Sequence, residues 1–355
     1  MLYLTFLKTV ITVLLILLFF ANSHAGGYDV GVYYFPGWHS KSEYWRDLKG
    51  EPGSLSSGKD WKERYPLLGF YPEEEVWVAE KHIEWASSYG IDFFAYDWYW
   101  DGKKPFLDHA INAYLKAKKK EKLKFCIMWA NHSEVPRNIE EFNNLVIFWI
   151  EHYFKNPNYF FVNDKPLVFV FSPTLLHLNA KKFKDTAGGL IAKANKIAKE
   201  KGFREIFFVA ISNESPDSFW VKRFSEQGFS AHTGWNYVMG NKELRLDYDA
   251  MVNTYLEFYE ASQKMNKILP YIIPASPGHD SSPWHGEKAF VRENSTPDKF
   301  ERMLEAAKNL ALKQVNGRKI IMIESWNEFA EGSYIEPTTK WGLKYLESLK
   351  RTLKP

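Results

Sequence analysis

"PEEEVWVAEKHIEWASSYGIDFFAYDW", residues 72–98, sets two periodicities back to back. The part through Gly90 opens on Pro72 and three acids, spaces its apolar residues at helical intervals and closes on glycine, as a helix with both ends marked does. "IDFFAYDW" (91–98) then runs apolar and aromatic with little alternation, the pattern of a strand covered on both faces in a parallel sheet. One helix feeding one buried strand is the unit from which the rest of the chain is assembled.

The same kind of strand recurs as "DVGVYYF" (29–35), "LKFCIMWAN" (123–131), "PLVFVFS" (166–172), "REIFFVAIS" (204–212), "GFSAHTGW" (228–235), "LPYIIPAS" (269–276) and "RKIIMIESW" (318–326), which makes eight. Segments with helical spacing lie between most of them, at 105–120, 138–154, 190–202, 247–265 and 296–313. Eight such units predict an α/β fold of the (β/α)₈, or TIM barrel, type as a single domain over residues 26–355; such barrels take about 250 residues before insertions. The long segment 39–70 after the first strand supplies much of the excess. An open doubly wound sheet would call for a glycine-rich phosphate turn after its first strand, and "YYFPGWHS" has no G-x-G-x-x-G.

Composition narrows the function. A net charge of +3 over 355 residues, with the basic run "LKAKKKEKLK" (115–124) reading as the solvated end of a helix, disfavours a nucleic-acid partner. Aromatic residues reach 17%, including 14 Trp, which suggests flat faces for stacking a ligand. The lone Cys126, in an apolar stretch, allows no internal disulfide. No Walker sequence or zinc-type cysteine pair is present, so no cofactor is expected. Near the N-terminus, Lys8 precedes the apolar run "VITVLLILLFFA" (10–21), and Ser23 and Ala25 fit the small-residue rule for cleavage. The expectation is a signal peptide at 1–25, a periplasmic or secreted protein, and no stable membrane insertion once the segment is removed; left uncleaved, the segment would act as an anchor. Sequons at Asn131, Asn213 and Asn294 favour a bacterial source, because the first two fall near the expected active site.

Barrel enzymes work at the C-terminal ends of their strands, so the polar and aromatic residues just past each run are the candidates. Among them are Tyr33 and Tyr34; Asp97 and Trp98; Trp129 and Asn131; Asn213 and Glu214; Trp235 and Asn236; and, at the end of the last run, Trp326 and Asn327. Carboxylates, amides and indoles gathered in one groove suit a sugar, whose C–H faces stack on rings while its hydroxyls bond to polar groups. Glycosidic bonds are cleaved by paired carboxyls, and Glu328 and Glu331 stand three residues apart, on one face of a helical turn or converging from a loop. The competing reading makes them surface acids at the start of the final helix.

"SWNEFAEGSYIEP" (325–337) resembles the N-E-[WF]-x-E-G signature of glycoside hydrolase family 99, the endo-α-mannosidases and endo-α-mannanases, and more closely the family-99-like WbsX proteins of bacterial polysaccharide loci. The likeness extends through "GVYYFPGWH" (31–39), "YGIDFFAYDWYW" (89–100), "FCIMWANHSE" (125–134) and "RENSTPDKFERML" (292–304). It implies an exported glycoside hydrolase acting on an α-linked, mannan-like oligosaccharide or polysaccharide, with Glu328 as base and Glu331 as general acid. It also implies net retention through a 1,2-anhydro sugar, formed when the substrate's own 2-hydroxyl attacks the anomeric carbon. Glu331 must then be protonated at working pH, its pKa raised by burial or by carboxylates such as Glu324 and Glu336. Phe329 and Ala330 depart from the Trp and His of the mannosidase signature, which puts mannose specificity in question. His279, Asp280 and Arg292 are placed as substrate binders; His279 and Asp280 with His285 and Glu287 could alternatively hold a metal. A polysaccharide-building glycosyltransferase and a non-catalytic sugar-binding protein are the alternatives. Export weighs against the first, because nucleotide-sugar donors are cytoplasmic, and two acids three residues apart exceed the needs of the second.

Overall fold

The computed structural model describes residues 27–56, 58–237 and 243–354, so the export segment expected at 1–25 lies outside the described residues. Eight strands, here β1 (Asp29–Tyr34), β2 (Phe93–Trp100), β3 (Lys124–Trp129), β4 (Lys165–Val170), β5 (Phe207–Ile211), β6 (Ala231–Thr233), β7 (Ile273–Ala275) and β8 (Ile320–Ile323), pair in parallel in the order β7-β8-β1-β2-β3-β4-β5-β6. The ends of that order meet through a parallel bridge between His232 and Tyr271, where the His232 N–H donates to Pro270 O at 3.0 Å and the Ile272 N–H to His232 O at 2.9 Å. The sheet is thereby closed into the TIM barrel that the strand count predicts.

Burial on both faces explains why the strands read as continuous apolar runs: every residue of β1 and of β8 is buried. Packing inside the barrel fixes Gly31, because a Cβ there would lie 2.2 Å from the Phe93 ring and 2.4 Å from the Met322 sulfur. Helices occupy Val76–Ser88, His109–Lys116, Ile139–Trp149, Ala187–Glu200, Tyr248–Met265 and Pro297–Lys313, at the segments whose spacing predicts them. Their starts carry the expected caps: Asn138, Thr186 and Thr296 accept from the backbone N–H three residues on. Helices at Pro173–Lys182 and Ser218–Glu226 are additional, the latter short and capped by Asp217. Among the described residues no helix is long and apolar enough to cross a membrane.

Segment 39–70 is no loose insertion. It carries a helix at Glu43–Lys49 and a second apolar core in which Trp38, Trp45, Leu48, Trp61 and Tyr71 pack with Phe329 and Ala330. Backbone bonds from Leu67 N to Pro337 O and from Thr339 N to Tyr65 O, both 2.8 Å, lash it to the stretch that follows the two glutamates. Much of the aromatic surplus is therefore structural. Eight of the 14 tryptophans, Trp38, Trp45, Trp61, Trp98, Trp100, Trp129, Trp149 and Trp326, are buried.

Candidate active site

Immediately past β8 the chain forms a small hairpin: Asn327–Glu328 pairs antiparallel with Ser333–Tyr334. Its turn is closed by the Glu331 N–H donating to Glu328 O at 3.2 Å and held from outside by the Asp280 N–H donating to Glu331 O at 2.6 Å. Gly332 sits at φ 65°, where a Cβ would come within 2.8 Å of Asp280 N, so the glycine after the second glutamate is a backbone requirement. The final helix begins only at Lys344, and Glu328 is 5% exposed. The two glutamates are therefore not surface acids at a helix start.

Four carboxyls meet at this end of the barrel. Burial, then the neighbouring Glu331, Asp97, Glu324 and Glu73, push Glu328 well above the usual carboxylate range. Burial lifts Glu331 to about 7. Asp97 is raised by burial and by Glu331, and Glu324 by the same two causes. Glu324 Oε2 accepts from Asn236 Nδ2 and, at 2.9 and 3.2 Å, from the Ser333 and Ser276 hydroxyls. The buried atoms Glu328 Oε2, Glu324 Oε1, Asp97 Oδ1, Asn236 Oδ1 and the Tyr33 hydroxyl have no hydrogen-bond partner among the described residues. A buried polar atom left unpaired costs about 1–3 kcal/mol, so this concentration marks a place built to meet polar groups from outside the chain.

Period-two alternation sorts the other candidates. Tyr33 and Asp97 point to the inside, Tyr33 with its ring 4.5 Å from Trp235 and 5.3 Å from Phe169. Their neighbours must then point outward. The Tyr34 hydroxyl stands 3.1 Å from His82 Nδ1 of the Val76–Ser88 helix, and the Trp98 indole N–H donates to the Tyr153 hydroxyl at 3.0 Å. Trp129 packs edge-on against Trp149, and Trp326 against His82 and Phe94. These four expected sugar contacts are corrected to core residues between barrel and helices. Asn131 is also structural, with both ends of its amide on the Ser172 backbone at 2.7 and 2.8 Å. So is Asn327, which both donates to and accepts from the Phe35 backbone at 2.9 Å.

His279 is buried 3.4 Å from Asn236 Nδ2 and pushed down to about 3 by burial and Arg292, so it stays neutral beside the acids. Asp280 pairs with the Arg64 guanidinium, whose Nη1 also donates to Phe329 O at 3.1 Å; that ion pair props the hairpin from behind. The Arg292 guanidinium donates to the carbonyls of Glu243, Leu244 and Val291, which makes it a loop clamp. Glu336, expected to act on Glu331, is instead bonded to the Tyr71 hydroxyl at 2.9 Å and lies 3.3 Å from His82 Nε2. Among the described residues no three His, Cys, Asp or Glu are grouped to hold a metal. Tyr99 and Glu324 are the residues that the strand-end reading passed over. The charges of Asp97, Glu328 and Glu331 all act on Tyr99, and Asp97 pointing inward, two positions earlier, signals that Tyr99 does as well.

The raised pKa has a consequence for stability. Glu331 has a folded pKa of about 7 against an ordinary 4.5, so the folded chain binds the proton more tightly than the unfolded one. That contribution is complete below the ordinary value and is lost as pH rises through about 7. Glu331→Gln should therefore melt at or above the wild-type temperature at about pH 8, with a smaller drop between about pH 5 and pH 8 than the wild type shows. Calorimetry would contradict this if the variant lost stability more steeply with pH.

Comparison with known proteins gives three kinds of likeness. The family model described as "Glycosyltransferase WbsX" matches residues 60–349. The "Uncharacterized protein WxcX" of Xanthomonas campestris pv. campestris (strain B100) is 24% identical over 310 residues, 81% of this chain and 42% of that protein, and WxcX of a second strain matches equally. The chain thus spans about two fifths of the length of the curated relatives it matches. A solved "Glycoside hydrolase-like protein" superposes with a TM-score of 0.66 at 18% identity, covering 92% of this chain and 94% of that one. The family 99 endo-α-mannosidase from Bacteroides thetaiotaomicron gives 0.63 at 17%, covering 91% and 95%. At these identities the structural likenesses establish the fold.

Proposed function

Since the chain belongs to the WbsX family and folds as a TIM barrel like that of a family 99 endo-α-mannosidase, we propose that it is a glycoside hydrolase acting on an α-linked glycan. The observation that carries the reading is the hairpin that presents Glu328 and Glu331, both raised in pKa, to a barrel mouth full of unpartnered buried polar atoms. Acceptor oxygens without a hydrogen-bond partner among the described residues suit a ligand rich in hydroxyl donors.

The resemblance to family 99 supplies the chemistry, help from the substrate's own 2-hydroxyl, and the pair fits it: two acids three residues apart on one hairpin are poorly placed to flank a sugar from opposite sides. The Glu328 carboxylate takes the proton of the 2-hydroxyl; that oxygen attacks the anomeric carbon as the glycosidic bond breaks; the departing oxygen takes the Glu331 proton. In the second half water attacks the anomeric carbon and gives its proton to Glu331, while the 2-oxygen recovers its proton from Glu328. Atoms balance, configuration is retained, and no cofactor enters. With Glu328 raised by burial and by Glu331, and Glu331 lifted to about 7 by burial, the two glutamates hold a proton into the neutral range, which the first step needs. Export through the 1–25 segment would place this activity in the periplasm or outside the cell.

The printed family description favours a second reading, a glycosyltransferase. A polysaccharide panel with water as the only acceptor, run beside nucleotide-sugar donors with oligosaccharide acceptors, separates the two. Release of oligosaccharide in the first arm is the expected result. Transfer in the second arm without release in the first would make the chain a transferase, and binding without either would make it a lectin.

A further inference from the structure

A second cleft, of about 240 Å³, opens over the C-terminal ends of β4, β5 and β6. Phe171 and Trp235 wall it toward the barrel mouth and Trp220 toward the outside, with Thr174, Asn213 and Glu214 between them. Trp235 belongs to both places: its ring meets Tyr33 at 4.5 Å on the floor of the mouth and also lines this cleft. Phe171 continues the wall, edge-on to Trp235 at 5.4 Å and to His132 at 4.5 Å. In the closed ring β5 stands four strands from β1, across the mouth from the side on which β8 delivers the two glutamates. Flat indole faces beside exposed hydroxyl, amide and carboxylate groups form the surface on which a pyranose stacks and bonds. The volume lies below the ~300 Å³ at which drug-sized pockets begin, which leaves room for one ring.

We infer that this cleft is a second sugar subsite, joined to the catalytic mouth through Trp235, so that a glycan long enough to reach it is held over β4, β5 and β6 as well as at the mouth. The identity of the ligand as a glycan rests on the proposed function; the dependence on chain length is a separate demand. The test is binding to a glycan array carrying length ladders of α-linked manno-, gluco- and galacto-oligosaccharides, with wild type, Trp220→Ala and Trp220→Phe. Trp220 stacks on Phe224 at 5.9 Å on the outer wall, away from the four carboxyls. Wild-type binding should strengthen once a ladder is long enough to reach the cleft. Trp220→Ala should weaken only those longer members, by roughly fivefold, the size of one aromatic contact, and Trp220→Phe should restore them. Equal weakening of short and long members, no weakening at all, or no ladder bound by the wild type would overturn the subsite. Because the readout is binding, its failure is distinct from that of the hydrolase reading. Length-dependent binding lost in Trp220→Ala, with no hydrolysis by wild type, sustains the subsite and sinks the enzyme; hydrolysis with no length dependence does the reverse.

Discussion

Glu328→Gln is expected to lose glycosidase activity by about 10²-fold to 10⁴-fold on every substrate, the contribution of a positioned base. The side chain is 5% exposed, its backbone N–H is held 3.1 Å from the Ser325 hydroxyl, and its Oε2 has no partner among the described residues. An amide of the same shape fills that position without being able to accept the proton of a 2-hydroxyl. The loss should therefore be as deep with a good leaving group as with a poor one, and a 2-deoxy substrate should be inert to the wild type. Single-turnover rates on an activated aryl glycoside and on the natural glycan would check this. A variant still active on the activated substrate would transfer the role of base to Glu331.

Glu331→Gln should behave differently. With a natural glycan the departing sugar oxygen needs a proton, and the loss should again be about 10²-fold or more; with a leaving group that departs as a stable anion most of the rate should return. Burial lifts Glu331 to about 7, so wild-type activity on natural glycan should fall as pH rises through that value, when the acid form is lost. The activated substrate should lack that limb. A pH profile identical for the two substrates would contradict Glu331 as the acid. If each glutamate's variant shows the pattern expected of the other, the roles are exchanged on the same hairpin.

The barrel was legible because buried parallel strands leave long apolar runs, and "IDFFAYDW" and "RKIIMIESW" needed no tertiary knowledge to be read. The two glutamates were legible through the resemblance, and the hairpin explains the spacing: Glu328 lies on one strand and Glu331 in the turn. Most of the aromatic candidates failed for one physical reason. In a barrel covered by helices, outward-facing residues at the strand ends are as buried as inward ones, so composition alone cannot sort Trp98 from Asp97. Alternation from Asp97 does sort them, and finds Tyr99. The role of segment 39–70 was out of reach, because its tryptophans pack onto Phe329 and Ala330, some 270 residues later, and local pattern carries no sign of so distant a partner.

The most direct measurement of the central claim is mass detection of oligosaccharides released from a polysaccharide panel by wild type and by the Glu328→Gln, Glu331→Gln double variant, both shown folded by calorimetry. The account predicts release by the wild type, one water gained per bond cut, and none above background from the double variant. Equal release by the two proteins would show that the hairpin glutamates do not carry the reaction.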